Sequence, residues 1–228
     1  EEVAGKAPLV AHVGEISTRE TIRLGKQVAR MGVDAVSVIT PYFVPLKQEE
    51  LIAHYEAVAN ALEVPVFLYN IPARTGNTLQ PQTVRKLAAH HNIVGIKDSA
   101  GSYESLSGFL QAAQGTENFS VLNGPDSLIH QGFVDGCAAC ISGLANVAPK
   151  EINAIWARFN DGDIEGSRRA QENVTDLRTD LYSVAFSPAA VKKAVALMGY
   201  DVGESRYAVR FSAEEEQRIR QIVNQYTR

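Results

Sequence analysis

Val64-Pro-Val-Phe-Leu-Tyr-Asn-Ile-Pro-Ala-Arg-Thr-Gly76 and Ile93-Val-Gly-Ile-Lys-Asp-Ser99 are two apolar runs, each ending on a side chain able to take part in chemistry, Tyr69 and Lys97. Runs that stay apolar instead of alternating describe strands covered on both faces. Working outward, β-type segments recur near Pro8–Gly14, Asp34–Thr40, Val64–Ile71, Ile93–Asp98, Phe119–Asn123 and Cys137–Ser142, with helical stretches between them. Ser17-Thr-Arg-Glu20 has the spacing of a capping box and predicts a helix start. Leu51, Ile52, Tyr55, Val58, Ala59 and Leu62 recur at three- and four-residue intervals, the stripe of a crossover helix lying on a sheet. After the sixth strand the pattern is helical only, over Pro149–Phe159, Ile164–Ser183, Pro188–Met198 and Ala213–Tyr226. The class is α/β with a parallel sheet, and periodicity alone leaves a doubly wound sheet and a (β/α) barrel equally open.

Composition narrows the partners. The 228 residues, 45% hydrophobic and 21% charged, suffice for one core. There are 26 acidic against 22 basic residues, and no Lys/Arg cluster exceeds a pair, which argues against nucleic acid and anionic membrane surfaces. No apolar stretch approaches the roughly 20 residues that span a bilayer, so the reading is a cytoplasmic protein acting on small molecules. Neither G-x-G-x-x-G nor G-x-x-x-x-G-K-[ST] occurs, which removes dinucleotide and P-loop signatures. Cys137 and Cys140 form a C-x-x-C inside a strand-like segment, where they read as small core residues rather than a redox pair. The five histidines, His90 and His91 adjacent and the others scattered, make no metal set and read as surface or packing residues.

Lys97 stands at the C-terminal end of its strand, and removing an ammonium from water favours the neutral amine that can attack a carbonyl. The competing reading is a lysine that snorkels to solvent or pairs with Asp98. Consecutive parallel strands are usually neighbours, so Tyr69 reaches the same edge, where a phenol can relay protons during imine formation. Taken alone, Tyr69 also reads as a core aromatic with a satisfied hydroxyl.

Five segments, Thr40-Pro-Tyr-Phe43, Tyr69-Asn-Ile-Pro-Ala-Arg-Thr-Gly76, Gly95-Ile-Lys-Asp-Ser99, Asn123-Gly124 and Gly143-Leu-Ala-Asn-Val147, occur in this order. Together they resemble the dihydrodipicolinate synthase and N-acetylneuraminate lyase superfamily of (β/α)8 aldolases. The resemblance implies that Lys97 forms a Schiff base with pyruvate and that Tyr69 relays protons. It also implies that Gly124 and Ile141 line the pyruvate pocket, that Thr75 and Gly76 shape the loop after Tyr69, and that Arg74 binds the carboxylate of the second substrate, an aldehyde or 2-oxo acid. It further implies a homotetramer built from dimers, with no metal or organic cofactor, because the imine is itself the electron sink.

Two departures from the family pattern stand out. Tyr42-Phe43 replaces a pair of tyrosines whose second member crosses the dimer interface in the synthase branch; Phe43 has no hydroxyl, which resembles aldolases of 2-keto-3-deoxy sugar acids or 4-hydroxy-2-oxoglutarate. No Gly-Thr-Thr-Gly-Glu segment, the family's holder of the pyruvate carboxylate, occurs in the chain. Glu1-Glu-Val-Ala-Gly-Lys6 reads as a helix end running into a strand. The expectation is therefore a TIM barrel lacking its first two βα units over residues 1–148, followed over residues 149–228 by the remaining barrel helices and a helical extension, as one structural domain. A non-catalytic homologue that binds a 2-oxo acid, or only oligomerises, is the alternative.

Overall fold

The computed structural model describes residues 5–227; the helix end expected over the first residues falls partly at 1–4, outside them. The chain divides into two compact units, the first running to Gly124 and taking in Asp135–Cys140, the second comprising Pro125–Val134 and the chain from Ile141 onward.

The first unit carries β1 (Val10–His12), β2 (Ala35–Ile39), β3 (Val66–Asn70), β4 (Ile93–Asp98), β5 (Ser120–Asn123) and β6 (Ala139–Cys140). All neighbours are parallel and each strand pairs with its successor in sequence, in the order β1-β2-β3-β4-β5-β6. That order has no reversal point, so the doubly wound alternative falls and the barrel-type arrangement stands. β1 and β6 are shorter than their apolar runs predict. Among the described residues β1 is hydrogen-bonded along one side only, to β2, and β6 meets β5 over two register pairs, Leu122 with Ala139 and Asn123 with Cys140, before the chain turns at Gly143.

Between the strands lie α1 (Thr18–Ala29), α2 (Gln48–Ala61), α3 (Pro72–Thr75), α4 (Pro81–Leu87) and α5 (Tyr103–Ala113). Ser17 caps α1 by accepting from the Glu20 amide at 3.2 Å. The predicted reciprocal half of the box is missing, because the Glu20 carboxylate turns to Arg23 at 2.6 Å. One sheet face and the helices form the core, with Val38, Leu68 and Ile96 from the strands meeting Tyr55, Leu87 and Phe109 from α2, α4 and α5. The opposite face carries Ser37, Phe67, Tyr69, Lys97, Ser120 and Leu122, all half-buried. Gly95, on that same face, is fully covered, because the Phe67 ring lies across it.

The second unit contains α6 (Ile129–Val134), α7 (Pro149–Asn160), α8 (Ile164–Tyr182), α9 (Ser187–Leu197) and α10 (Ala213–Tyr226). The last four match the helical runs of the sequence to within a residue or so. Ile155, Val174, Leu177 and Leu181 are fully buried, and the buried Ser167 hydroxyl on α8 donates to the Ile155 carbonyl on α7 at 2.8 Å.

Two residues test the first unit's packing. His54 on α2 is buried, shares a 2.9 Å hydrogen bond with Thr18 on α1, and leaves Nε2 unpartnered among the described residues. Burial pushes its pKa down to about 4, whereas the unfolded chain takes up the proton near the ordinary value of about 6.5. Stability that is intact above about pH 6.5 is therefore lost as pH falls toward 4, by roughly 3 kcal/mol at most. Urea denaturation across this range should show the loss in the native protein and a flatter profile in His54→Gln; parallel profiles would remove the assignment. A Cβ at Gly95 would fall 2.4 Å from the Ser120 carbonyl oxygen and 2.6 Å from the Phe67 ring. Gly95→Ala should consequently lower the unfolding free energy by about 1–3 kcal/mol, the usual range for overpacking, and an unchanged denaturation midpoint would contradict it.

Candidate active site

The register of β3 against β4 pairs Tyr69 with Lys97 and Asn70 with Asp98. Side chains alternate across a sheet, so the first pair projects from one face and the second enters the core. Lys97 is half-buried, and its Nζ lies 4.4 Å from the centre of the Tyr69 ring. An ammonium at that distance over a phenol ring is attracted by the ring quadrupole, which holds the two side chains together before any ligand arrives. Asp98 is not the lysine's partner. It is fully buried on the opposite face, where it accepts from Asn70 Nδ2 at 2.8 Å and from the Ala100 amide at 3.1 Å. Desolvation raises its pKa, and these hydrogen bonds oppose the rise.

Below the strand ends, polar groups tie the backbone. The Ser99 amide donates to the Asn70 carbonyl and the Gly124 amide to the Asp98 carbonyl, each at 2.8 Å. At Gly124 a side chain is excluded by close approach, because a Cβ would lie 2.1 Å from Ser99 Oγ and 2.5 Å from the Asp98 carbonyl oxygen. Asn70 Oδ1 also accepts from the Leu79 amide at 3.0 Å, anchoring the far end of the loop that follows Tyr69.

That loop contains the next group of expected residues. Pro72 starts α3, and Gly76 ends it with φ +75°, a left-handed value that glycine accepts without strain. Thr75 is buried; its hydroxyl accepts from Thr40 Oγ1 at 2.9 Å and donates to the Asn77 carbonyl at 3.0 Å. Arg74, on the outer side of α3, is exposed. Asn77, which the sequence reading passed over, is buried and binds the segment carrying Tyr42 and Phe43. Its Nδ2 donates to the Pro41 and Val44 carbonyls at 2.7 and 2.9 Å, and its Oδ1 accepts from the Leu46 amide at 2.8 Å. Between these clamps Phe43 takes φ +81°, a strained value for an aromatic residue, and is 89% exposed. Tyr42 beside it is half-buried.

Ile141 belongs to the second unit and is about half exposed. Close to it in that unit, Asp126 accepts from Ser142 Oγ at 2.5 Å and from the Tyr182 hydroxyl at 2.8 Å. Cys137 is buried and its thiol is pushed up to about 12, chiefly by burial, so it stays protonated at neutral pH. That environment lacks the thiolate a redox role requires.

His12, the last residue of β1, is also part of this cluster. Its ring meets the Tyr69 ring edge to face, with centroids 5.9 Å apart and planes at 90°. His12 keeps an exposed edge, yet the partial burial of its ring and the nearby Lys97 charge lower its pKa. Only the strand order brings it here. Among the described residues no set of three or more His, Cys, Asp or Glu side chains could hold a metal ion, and no helix is long and apolar enough to cross a membrane.

This arrangement has well-matched relatives. The family model for the dihydrodipicolinate synthetase family matches residues 1–226. A 4-hydroxy-tetrahydrodipicolinate synthase of Archaeoglobus fulgidus is 35% identical over 219 residues, which are 96% of this chain and 75% of that protein. The crystal structure of dihydrodipicolinate synthase from Thermotoga maritima superposes with a TM-score of 0.93 at 31% identity, covering 98% of this chain and 77% of that one. A prophage protein of the dihydrodipicolinic acid synthase family from E. coli K12, solved in complex with pyruvate, gives a TM-score of 0.91 at 28% identity, with 98% and 76% covered. A family match over nearly the whole length, on a parallel sheet in barrel order, identifies this chain as a member of the dihydrodipicolinate synthetase family, whose enzymes are carbon–carbon lyases.

Proposed function

We propose that the protein is a class I aldolase or lyase that forms a Schiff base between Lys97 and pyruvate. The observation that carries this reading is the Lys97 amine 4.4 Å from the centre of the Tyr69 ring, on register-paired residues of adjacent strands. In the neutral form Nζ attacks the ketone carbon of pyruvate, and the carbonyl oxygen takes up a proton to give a carbinolamine. Water then leaves and the protonated imine remains. Loss of a proton from the pyruvate methyl carbon yields an enamine, which adds to the carbonyl carbon of an aldehyde; cleavage of a 2-oxo acid is the same path reversed. Hydrolysis of the imine returns the amine. The Tyr69 phenol carries protons through these steps.

The resemblance supplies the remaining roles. Gly124 and Ile141 line the pyruvate side, and Thr75 and Gly76 set the loop that presents Arg74. The planar guanidinium of Arg74 would bind a carboxylate on the second substrate. In the same reading β1–β6 are strands three to eight of a barrel, the enzyme is a cytoplasmic homotetramer, and Tyr42 and Phe43 lie at its dimer interface near the site. Support for pyruvate comes from the pyruvate complex of the E. coli relative. Arg74 favours an acidic aldehyde such as aspartate semialdehyde, whereas Phe43 favours a keto-deoxy sugar acid or 4-hydroxy-2-oxoglutarate. Phe43 also leaves room for a second reading, a homologue that binds a 2-oxo acid without turning it over.

Borohydride added with pyruvate should trap an adduct that mass spectrometry finds on Lys97, and Lys97→Ala should abolish it; an adduct on another lysine would refute the mechanism. Tyr69→Phe should keep the fold and slow turnover by about 10²–10⁴, the range for a lost acid–base group, with turnover measured on a panel of the three substrate types. Pyruvate trapping without turnover of any of them would favour the non-catalytic reading.

A further inference from the structure

We infer that His12 is a positioning residue for Tyr69, fixing the phenol ring against the Lys97 amine from the far side of β2; the inference rests on the reading of Lys97 as the imine-forming amine. β1 and β3 are not neighbours. β2 lies between them, with His12 paired to Ser37 and Tyr69 paired to Ile39. Strands two places apart stand roughly 9–10 Å from each other, too far for small side chains to touch and close enough for two rings to meet. Ser37 makes this possible. It is the β2 residue under the imidazole, small enough to let the ring pass over it, and its Oγ lies 3.2 Å from His12 Nδ1. Gly14 leaves space on the other side, since a Cβ there would come within 3.2 Å of His12 Cε1. The imidazole is thus held at one nitrogen and given a gap to occupy.

The consequence falls on Tyr69. Its ring has the Lys97 amine at 4.4 Å from its centre and the imidazole edge to face at 5.9 Å. Ser37 alone is too short to stop the half-buried phenol from swinging toward β1. With His12 in that space, rotation of the ring toward β1 is opposed, and an edge-to-face pair favours the retained orientation. The part His12 plays is steric and aromatic, and it passes no proton.

The test compares the full-length protein with His12→Ala, His12→Phe and Ser37→Ala, reading the single-turnover rate of pyruvate-dependent, borohydride-trapped adduct on Lys97. Pyruvate half-saturation and melting temperature are followed alongside. His12→Ala should slow adduct formation about 3- to 10-fold, the rate equivalent of an edge-to-face aromatic pair, with half-saturation and melting temperature little changed. His12→Phe, which keeps a ring and loses both nitrogens, should return to within about twofold of the native rate. Ser37→Ala should slow it in the direction of His12→Ala. A native rate in His12→Ala overturns the assignment, as does a His12→Phe as slow as His12→Ala or a change confined to half-saturation. If His12→Ala does not fold, the other two variants decide: Phe near the native rate with Ser37→Ala slowed supports the inference, and any other pattern overturns it. Failure of the native protein to trap pyruvate would sink the Lys97 reading itself, and that result requires no His12 variant.

Discussion

Everything at the candidate site depends on one parallel register, that of β3 against β4. Pairing Tyr69 with Lys97 sends both side chains out of the same face and puts the amine over the phenol ring. A slip of one residue would exchange them for Asn70 and Asp98, which are fully buried on the other side. The register is guarded from beneath. Asn70 and Asp98 hydrogen-bond to each other in the core, and moving either would leave a buried polar group without its partner, which costs more than an ordinary hydrogen bond contributes. The buried pair therefore holds the reactive pair in place, although neither of its members reaches the Lys97 face.

The same economy governs the loops. The Asn77 side chain makes three hydrogen bonds to the segment from Pro41 to Leu46, and the Thr40–Thr75 hydroxyl contact joins the strand leading into that segment to the loop after Tyr69. Two loops at the end of adjacent strands behave as one clamped piece, and the positive φ of Phe43 is the strain that the clamp sustains. Strain kept on a residue left almost wholly in solvent indicates that its backbone geometry is imposed by the neighbours on either side, since the side chain has few contacts that could compensate for it.

The placement of Lys97 and Tyr69 on neighbouring strands is legible in the sequence because both lie at the ends of long apolar strands, and strand ends of successive parallel strands share an edge. The four long helices of the second unit were legible for a similar reason, since each is a periodic run with a Pro, Asp or Ser at its start. Legibility failed where the decisive partner is remote. Glu20 completes a capping pattern on paper, yet Arg23 one turn on competes for its carboxylate. Asn77 sits in a polar stretch that looks like any loop, and its side-chain bonds run to residues more than 30 positions away. His12 looked like an isolated histidine, because nothing local reveals that β1 will lie two strands from β3.

The sequence by itself determined which segments become strands and helices, that the strands run parallel, and which lysine and tyrosine come to the edge of the sheet, because periodicity, chain direction and strand length are local properties. Tertiary structure decided which of the two strand orders left open by periodicity is formed, the faces on which Lys97 and Asp98 emerge relative to their neighbours, and the meeting of His12 with Tyr69. Those outcomes depend on hydrogen-bond register between segments distant in the chain, and register is set by what the whole sheet must bury.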